Sequence, residues 1–153
     1  MKKSDKIDGV KFYSISSDNG STWTKPAPLK YDNGSTMYSS SSIPKLLMHS
    51  NGRLYFIGII NKENPNGNLP RYPLCIAEVD IQNFSILKDT VTVLDTKRAF
   101  HDETIKGKNN IDFSNQGVYE DEKTGEIIIL APFRTDLSCY KSVMNKYIVK
   151  VKA

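Results

Sequence analysis

The sequence is poor in cysteine and histidine, the residues from which most disulfide frameworks and zinc sites are built. Its 153 residues include two cysteines, Cys75 and Cys139, which lie far apart and form no CxxC pair. With His49 and His101 as the only histidines, the ligand spacing of a zinc site is missing. Neither a metal nor another cofactor is expected. Cys75 lies in an apolar stretch and is predicted to be a buried thiol, while a Cys75–Cys139 disulfide is left open.

Long apolar runs are also missing. No stretch approaches the roughly 18 residues that a membrane-spanning helix needs. The first residues, MKKSDKIDG, carry the lysines of a signal peptide but no apolar segment behind them. These absences predict no membrane partner and no export signal within this chain, and they leave its location open.

Basic charge is present but not concentrated. The net charge is +4, and the lysines are scattered apart from three near each end. A nucleic-acid-binding surface gathers its basic residues on one face and carries a recognisable motif. The chain also has no Walker A or GxGxxG phosphate loop and no nucleophile elbow. We therefore expect no nucleic-acid partner and interpret the charge as favouring solubility.

What the sequence does contain is a series of short strands. No segment keeps apolar residues at helical spacing between helix caps, so helix should account for under about a tenth of the residues. Runs rich in β-branched and aromatic residues alternate with turn clusters, which predicts antiparallel sheets in a sandwich, barrel or propeller. The predicted strands are 10–16, 53–60, 74–80, 90–94, 126–133 and 146–152.

The composition of three of these strands predicts how they are covered. Segments 53–60 and 126–133 are nearly all apolar, as in strands that are buried on both faces. Segment 146–152 alternates, with Tyr147 and Val149 on one face and lysines on the other, which is typical of an edge strand. The loop at 31–42 is polar and serine-rich, and the loop at 61–70, rich in proline, glycine and asparagine, is of the kind that often builds a binding rim.

Two stretches repeat the same pattern of a strand, a glycine hairpin and an apolar strand. They read SIPKLLMHSNGRLYFIGI and DFSNQGVYEDEKTGEIIIL. Such a repeat favours a propeller, in which each stretch would be the inner hairpin of one blade.

Residues 16–23 read SSDNGSTW and match the Asp-box pattern S-x-D-x-G-x-T-W at every specified position. Asp18 is expected to accept hydrogen bonds from backbone N–H groups across the turn, as Asx turns do, and Ser16 to join that network. Gly20 supplies the positive φ of a tight turn. Thr22 completes the motif, and Trp23 is expected to be buried between neighbouring blades. A degraded copy without the glycine follows at 79–84.

The Asp box and the order of segments after it resemble the C-terminal part of the sialidase (BNR-repeat) family. The segments are SSSSIPKLL, HSNGRLYFIG, NKENPNGNLPRYPL and IAEVD. The resemblance covers residues 10–153 and implies an all-β fold of antiparallel, four-stranded blades from a β-propeller of the six-bladed type. Residues 10–30 would end one blade, 31–96 form a second and 97–153 a third. These about 2 to 3.5 blades fall short of the roughly four that the smallest propellers have.

The resemblance also implies a site. Sialidases bind the carboxylate of an acidic sugar with three arginines, and Arg71 stands where the third is expected. A guanidinium offers a carboxylate a two-pronged match. The tyrosine nucleophile of the family corresponds here to Phe113, which has no hydroxyl, and Tyr119 is six residues further on. The acidic group Asp112, Glu120, Asp121 and Glu122 is interpreted as solvated.

The other two arginines, the acid and the assisting glutamate would all lie before Met1. The catalytic residues are therefore unknown, and the isolated chain is expected to be inactive. The leading hypothesis is a truncated sialidase-like glycoside hydrolase whose complete form is secreted or periplasmic and acts on glycans. The alternative is a non-catalytic propeller piece that binds a carbohydrate or a protein. Apolar inter-blade faces predict either self-association or missing N-terminal blades.

Overall fold

The computed structural model describes residues 8–98, 111–136 and 141–151. Over these residues the fold is all-β, as predicted, and its only helix is the three-residue 3-10 turn Lys88–Thr90. Every strand pair found in this part of the chain is antiparallel. The strands are β1 (Phe12–Tyr13), β2 (Ala27–Pro28), β3 (Lys45–Met48), β4 (Leu54–Ile59), β5 (Leu74–Asp80), β6 (Ser85–Ile86), β7 (Thr92–Asp95), β8 (Gly117–Glu120), β9 (Ile127–Asp136) and β10 (Lys141–Val149).

The strands form three sheets in chain order. The first sheet is the pair β1–β2, the second has the order β3-β4-β5 with β6 and β7 both beside β5, and the third has the order β10-β9-β8. β6 and β7 pair with opposite ends of β5, so they act as one interrupted fourth strand. Each sheet is a meander of strands that follow one another in sequence. The predicted strand at 10–16 is shorter than expected, because only Phe12 and Tyr13 pair.

The central strands of the second sheet, β4 and β5, are buried on both faces, as predicted for the apolar segment 53–60. On one face of β4, Tyr55, Ile57 and Ile59 pack into a core shared with the third sheet. On the other face, Phe56 packs into a core shared with the first sheet. Because successive side chains of a strand point to opposite faces, an uninterrupted apolar run fits this doubly covered position. The three sheets therefore pack face to face in sequence order.

Cys75 is a buried thiol, as predicted. It lies in β5 in the core between the first and second sheets. Burial raises the pKa of this thiol to about 11, so it stays protonated at neutral pH. Cys139 and His101 lie outside the described residues, and so does the disulfide that the sequence left open.

Two hairpins that the sequence predicted as repeats lie side by side. The turn between β3 and β4 contacts the turn between β8 and β9 through two polar residues. His49 Nε2 lies 2.9 Å from the carbonyl oxygen of Gly125. The backbone N–H of Ser50 donates to Glu120 at 2.8 Å, and the Ser50 hydroxyl donates to the same carboxylate. These contacts join the second and third sheets at the end that carries the two turns.

The outward face of the third sheet is apolar and exposed. Met144 and Ile148 of β10 lie on it, and so does Tyr119 of β8, which is 47% exposed. Tyr147 and Val149 point the other way, into the core, and β10 is an edge strand, as predicted. Ile128 of β9, which pairs with both Tyr119 and Ile148 on this face, is buried. Phe12 is similarly exposed on the first sheet.

In the described ranges, no helix is long and apolar enough to cross a membrane. The same ranges contain no group of three or more histidine, cysteine, aspartate or glutamate side chains that could hold a metal ion.

Candidate functional site

The Asp-box segment forms the hydrogen-bonded turn that its sequence predicts between β1 and β2. Asp18 Oδ1 accepts from the backbone N–H of Thr22 at 2.8 Å, and Oδ2 accepts from the Thr22 hydroxyl at 2.6 Å. The Ser16 hydroxyl donates to Asp18 and accepts from the N–H of Gly20, both at 2.8 Å. Gly20 has a φ of 87°, in the region that glycine adopts without strain.

Trp23 departs from the prediction that it is buried. Its ring is 63% exposed, and its indole N–H donates to the carbonyl oxygen of Gly20 at 3.0 Å. The ring therefore folds back over its own turn. Burial of a side chain this large needs a second layer against it, and the described residues place none on this side of the first sheet.

The degraded copy of the motif forms a second aspartate-centred turn, between β5 and β6. Asp80 accepts from the N–H of Gln82 at 2.9 Å and from the side-chain amide of Asn83 at 2.7 Å. Without a glycine, the positive φ falls on Phe84, at 48°. Both turns thus use a carboxylate to hold the chain between two antiparallel strands of a sheet.

We expect replacement of Asp18 by alanine to lower the melting temperature, and the loss to depend on pH. The two Thr22 bonds, then the Ser16 hydroxyl, lower the pKa of Asp18 from 3.8 to about 2. A carboxyl group whose pKa is lower in the folded state stabilises the fold above pH 4 and loses that contribution as the pH falls through 2. Melting curves of both forms should therefore converge between pH 4 and pH 2. Exposed Asp89, replaced in the same way, serves as the control and should leave the melting temperature nearly unchanged.

Arg71 lies in the loop between β4 and β5, where it is anchored to the segment before β8. Its Nη1 donates to Asp112 Oδ2 at 2.9 Å and to the Ser114 hydroxyl at 3.2 Å. Its Nε lies 3.3 Å from the carbonyl oxygen of Asn68, and the backbone N–H of Phe113 donates to the Arg71 carbonyl oxygen at 3.1 Å. The Arg71 side chain remains 24% exposed, so an anchored guanidinium reaches the surface here.

Asp112 is buried, which corrects its interpretation as a solvated carboxylate. Besides the ion pair with Arg71, it accepts from the backbone N–H of Ser114 at 2.7 Å and from the Ser114 hydroxyl. A buried charge needs such partners to offset its lost hydration. Glu120 is tied to Ser50, and Asp121 caps its own turn by accepting from the N–H of Lys123.

A network of short polar contacts holds the Arg71 loop against the serine-rich segment. Asn61 Oδ1 accepts from the backbone N–H of Ser40 at 2.7 Å. The Asn61 amide donates to the carbonyl oxygens of Pro70 and Tyr72, on either side of Arg71. Because Asn61 is buried, these bonds fix the loop from behind and set the position of the guanidinium.

Lys11, which precedes β1, reaches the same end of the molecule. Its Nζ donates to the carbonyl oxygen of Ser40 at 2.6 Å and to that of Ser42 at 2.5 Å. Burial, and secondly the positive charge of Arg71, lower the pKa of Lys11 to about 8. The hydroxyl of Ser40 is buried and has no hydrogen-bond partner within the described part of the chain.

The loop that carries Arg71 also lines a groove of about 480 Å³. Tyr72, Leu69 and Pro70 form its apolar part, and Asn61, Asn64 and Asn66 supply amide groups. A mixture of aromatic or proline rings and side-chain amides suits a small polar ligand such as a sugar. This is the loop, 61–70, that the sequence predicted as a binding rim.

Phe113 does not lie in this polar cluster. Its ring is fully buried in the core between the second and third sheets, with its centroid 5.1 Å from that of Phe133. Tyr119 lies in β8 on the exposed face of the third sheet. The backbone of Phe113 is therefore bonded to Arg71 while its ring lies in the core, and the described part of the chain brings the Arg71 side chain together with Lys11, Ser40, Asn61, Asp112 and Ser114.

Sequence reasoning missed Lys11, Ser40 and Asn61. Lys11 lies 29 positions before Ser40, and Asn61 lies 21 positions after it. The sequence signal was the density of hydroxyl and amide residues in the two predicted loops. That density indicates a polar loop region, but it does not show which of its residues lie near Arg71. Comparison of the chain with protein-family models, with curated proteins and with solved structures gave no match.

Proposed function

We propose that this chain is part of a sialidase-like β-propeller and that its Arg71 end binds the carboxylate of an acidic sugar. The observation that carries the proposal is the anchored guanidinium of Arg71, held by Asp112 and Ser114 while part of it faces solvent. A fixed, partly exposed arginine is suited to two-pronged recognition of a carboxylate. A groove with room for a sugar lies along the same loop and is lined by its neighbours Pro70 and Tyr72, although not by Arg71 itself.

Two further observations support the architecture. Both aspartate turns connect neighbouring antiparallel strands, as Asp boxes do, and three meander sheets pack face to face in chain order. In a propeller, this arrangement corresponds to one four-stranded blade with one complete or partial blade on each side of it. Under this proposal Trp23 and the outward face of the third sheet would adjoin further sheets or copies of the chain.

Burial of Phe113 favours a second candidate, in which the chain binds the sugar without hydrolysing it. A ring inside an apolar core offers no nucleophile, and Tyr119 lies on an outward face. We therefore assign carbohydrate binding, rather than glycoside hydrolysis, to the chain by itself.

The test is direct. We expect no turnover of a fluorogenic sialoside, and weak binding of free N-acetylneuraminate that is observable by saturation-transfer NMR. Arg71→Gln should abolish that binding, while Arg53→Gln, at an exposed arginine paired with Glu78, should leave it intact. Turnover that Arg71→Ala abolished would establish catalysis and overturn the assignment, and binding unaffected by Arg71→Gln would place the sugar elsewhere.

A further inference from the structure

The Arg71 guanidinium has donors that the protein does not use. Nη1 is bonded to Asp112 and Ser114, and Nε to the carbonyl oxygen of Asn68. Within residues 8–98, 111–136 and 141–151, Nη2 has no acceptor. Since a guanidinium carries five N–H donors, an oxyanion can approach the remaining ones without displacing Asp112.

In the described part of the chain, Lys11 also has one N–H donor that makes no short hydrogen bond. Its ammonium group has three N–H bonds, and two are used on the carbonyl oxygens of Ser40 and Ser42. The third has only a long contact, of 3.4 Å, with the Ser42 hydroxyl. The Ser40 carbonyl oxygen accepts from this ammonium, and the hydroxyl of the same residue is buried with no partner in the described ranges.

The charges at this end of the molecule do not balance. Hydrogen bonds link the two cations, because Lys11 donates to Ser40, Ser40 donates to Asn61, and Asn61 donates to the carbonyl oxygens on either side of Arg71. Asp112 neutralises Arg71, but among the described residues no carboxylate is bonded to Lys11, whose bonds there go to neutral oxygens. Two cations in a partly desolvated region repel each other, and an anion between them would relieve that repulsion.

We propose that Lys11 is a second anion-binding residue of the Arg71 site, so that the two cations together hold one carboxylate. This inference rests on the proposed function and adds a residue to the same site. It also defines the ligand class, which is a small oxyanion on a polar body and includes sugar acids. The sulfate ion shares this chemistry and serves as a simpler probe.

The site should bind anions more weakly as the pH rises through 8. Burial, then Arg71, lower the pKa of Lys11 to about 8, so the residue loses its charge above that value. Charged groups on the neighbouring elements of the described chain include Asp112, bonded to Arg71, Asp8, bonded to Asn64, and Lys62 and Glu63 of the Arg71 loop. Because the anion prefers the charged form of Lys11, binding at higher pH requires Lys11 to take up a proton, which weakens the observed affinity.

The experiment measures dissociation constants of N-acetylneuraminate and of sulfate for the full chain at pH 7.0 and pH 9.5. Both ligands keep their charge over this range. We expect Lys11→Gln to weaken binding at pH 7.0 by about tenfold, as loss of a charge-assisted hydrogen bond does. The same substitution should abolish the pH dependence. Lys11→Arg should keep the affinity but remove the pH dependence, because arginine stays charged. Lys150→Gln, at a side chain that is 84% exposed, is the matched control.

The outcomes separate this inference from the function on which it rests. If N-acetylneuraminate binds and Lys11→Gln leaves its affinity and pH profile unchanged, the role of Lys11 is overturned while the proposed function stands. If only sulfate binds, with the Lys11 dependence described, the anion site stands and the assignment to an acidic sugar falls. If neither ligand binds at millimolar concentration, both are overturned.

Discussion

Replacement of Phe113 by alanine should destabilise the protein by about 3–5 kcal/mol, the usual cost of removing a buried aromatic side chain. The ring is fully buried between the second and third sheets and lies against Phe133, in a core that includes Ile57, Ile129 and Leu74. The cavity left behind would lie where the two sheets meet, and close packing there cannot collapse without moving a whole sheet. Urea unfolding followed by circular dichroism measures the loss.

The substitution Phe113→Tyr distinguishes this packing role from a catalytic one. A hydroxyl placed in the same apolar core would lack a partner, so we expect a loss of about 1–3 kcal/mol and no gain of sialidase activity. Tyr119→Phe, on the exposed face of β8, serves as the control and should change stability by less than about 0.5 kcal/mol. Activity gained with Phe113→Tyr would show that this position faces substrate, and our description of the core would then be wrong.

The parts of the fold that the sequence predicted are those that depend on near neighbours. The Asp18 turn is closed by residues within four positions of it, so its hydrogen bonds follow from the motif itself. The continuous apolar run of β4 leaves no polar face. It therefore predicts that both faces of the strand are buried, without indicating which sheets bury them. The length of β5 follows for the same reason, and its bounds match the predicted segment 74–80.

The errors concern side chains whose surroundings come from distant parts of the chain. Trp23 belongs to a motif that usually adjoins another sheet, but its burial depends on residues outside that motif. Asp112 looked solvated because it lies near other acidic residues in sequence. Its partner Arg71 is 41 positions away, and only the fold brings the two together. No local pattern distinguishes a carboxylate that will meet such a partner from one that will face water.

The ion pair of Asp112 and Arg71 provides the second large effect. Replacing Asp112 by alanine would leave the guanidinium with only Asn68 and Ser114 as partners. Breaking a fully buried pair costs about 3–5 kcal/mol. Because the Arg71 side chain is 24% exposed, water can solvate part of the orphaned charge. We therefore expect a smaller loss, of about 2–3 kcal/mol, in urea unfolding at neutral pH.

A double-mutant cycle separates the interaction energy of Asp112 and Arg71 from the effect that each side chain has on packing. Asp112→Leu and Arg71→Leu should each destabilise the protein, and the double variant should lose less than their sum, because neither charge is then left alone. The exposed pair of Arg53 and Glu78, which has the same 2.9 Å separation, is the matched control. Its coupling energy should lie within about 0.2–1 kcal/mol, as for other surface ion pairs. Equal coupling in the two cycles would mean that Asp112 does not anchor Arg71, and the fixed guanidinium on which the proposed carboxylate site depends would lose its physical basis.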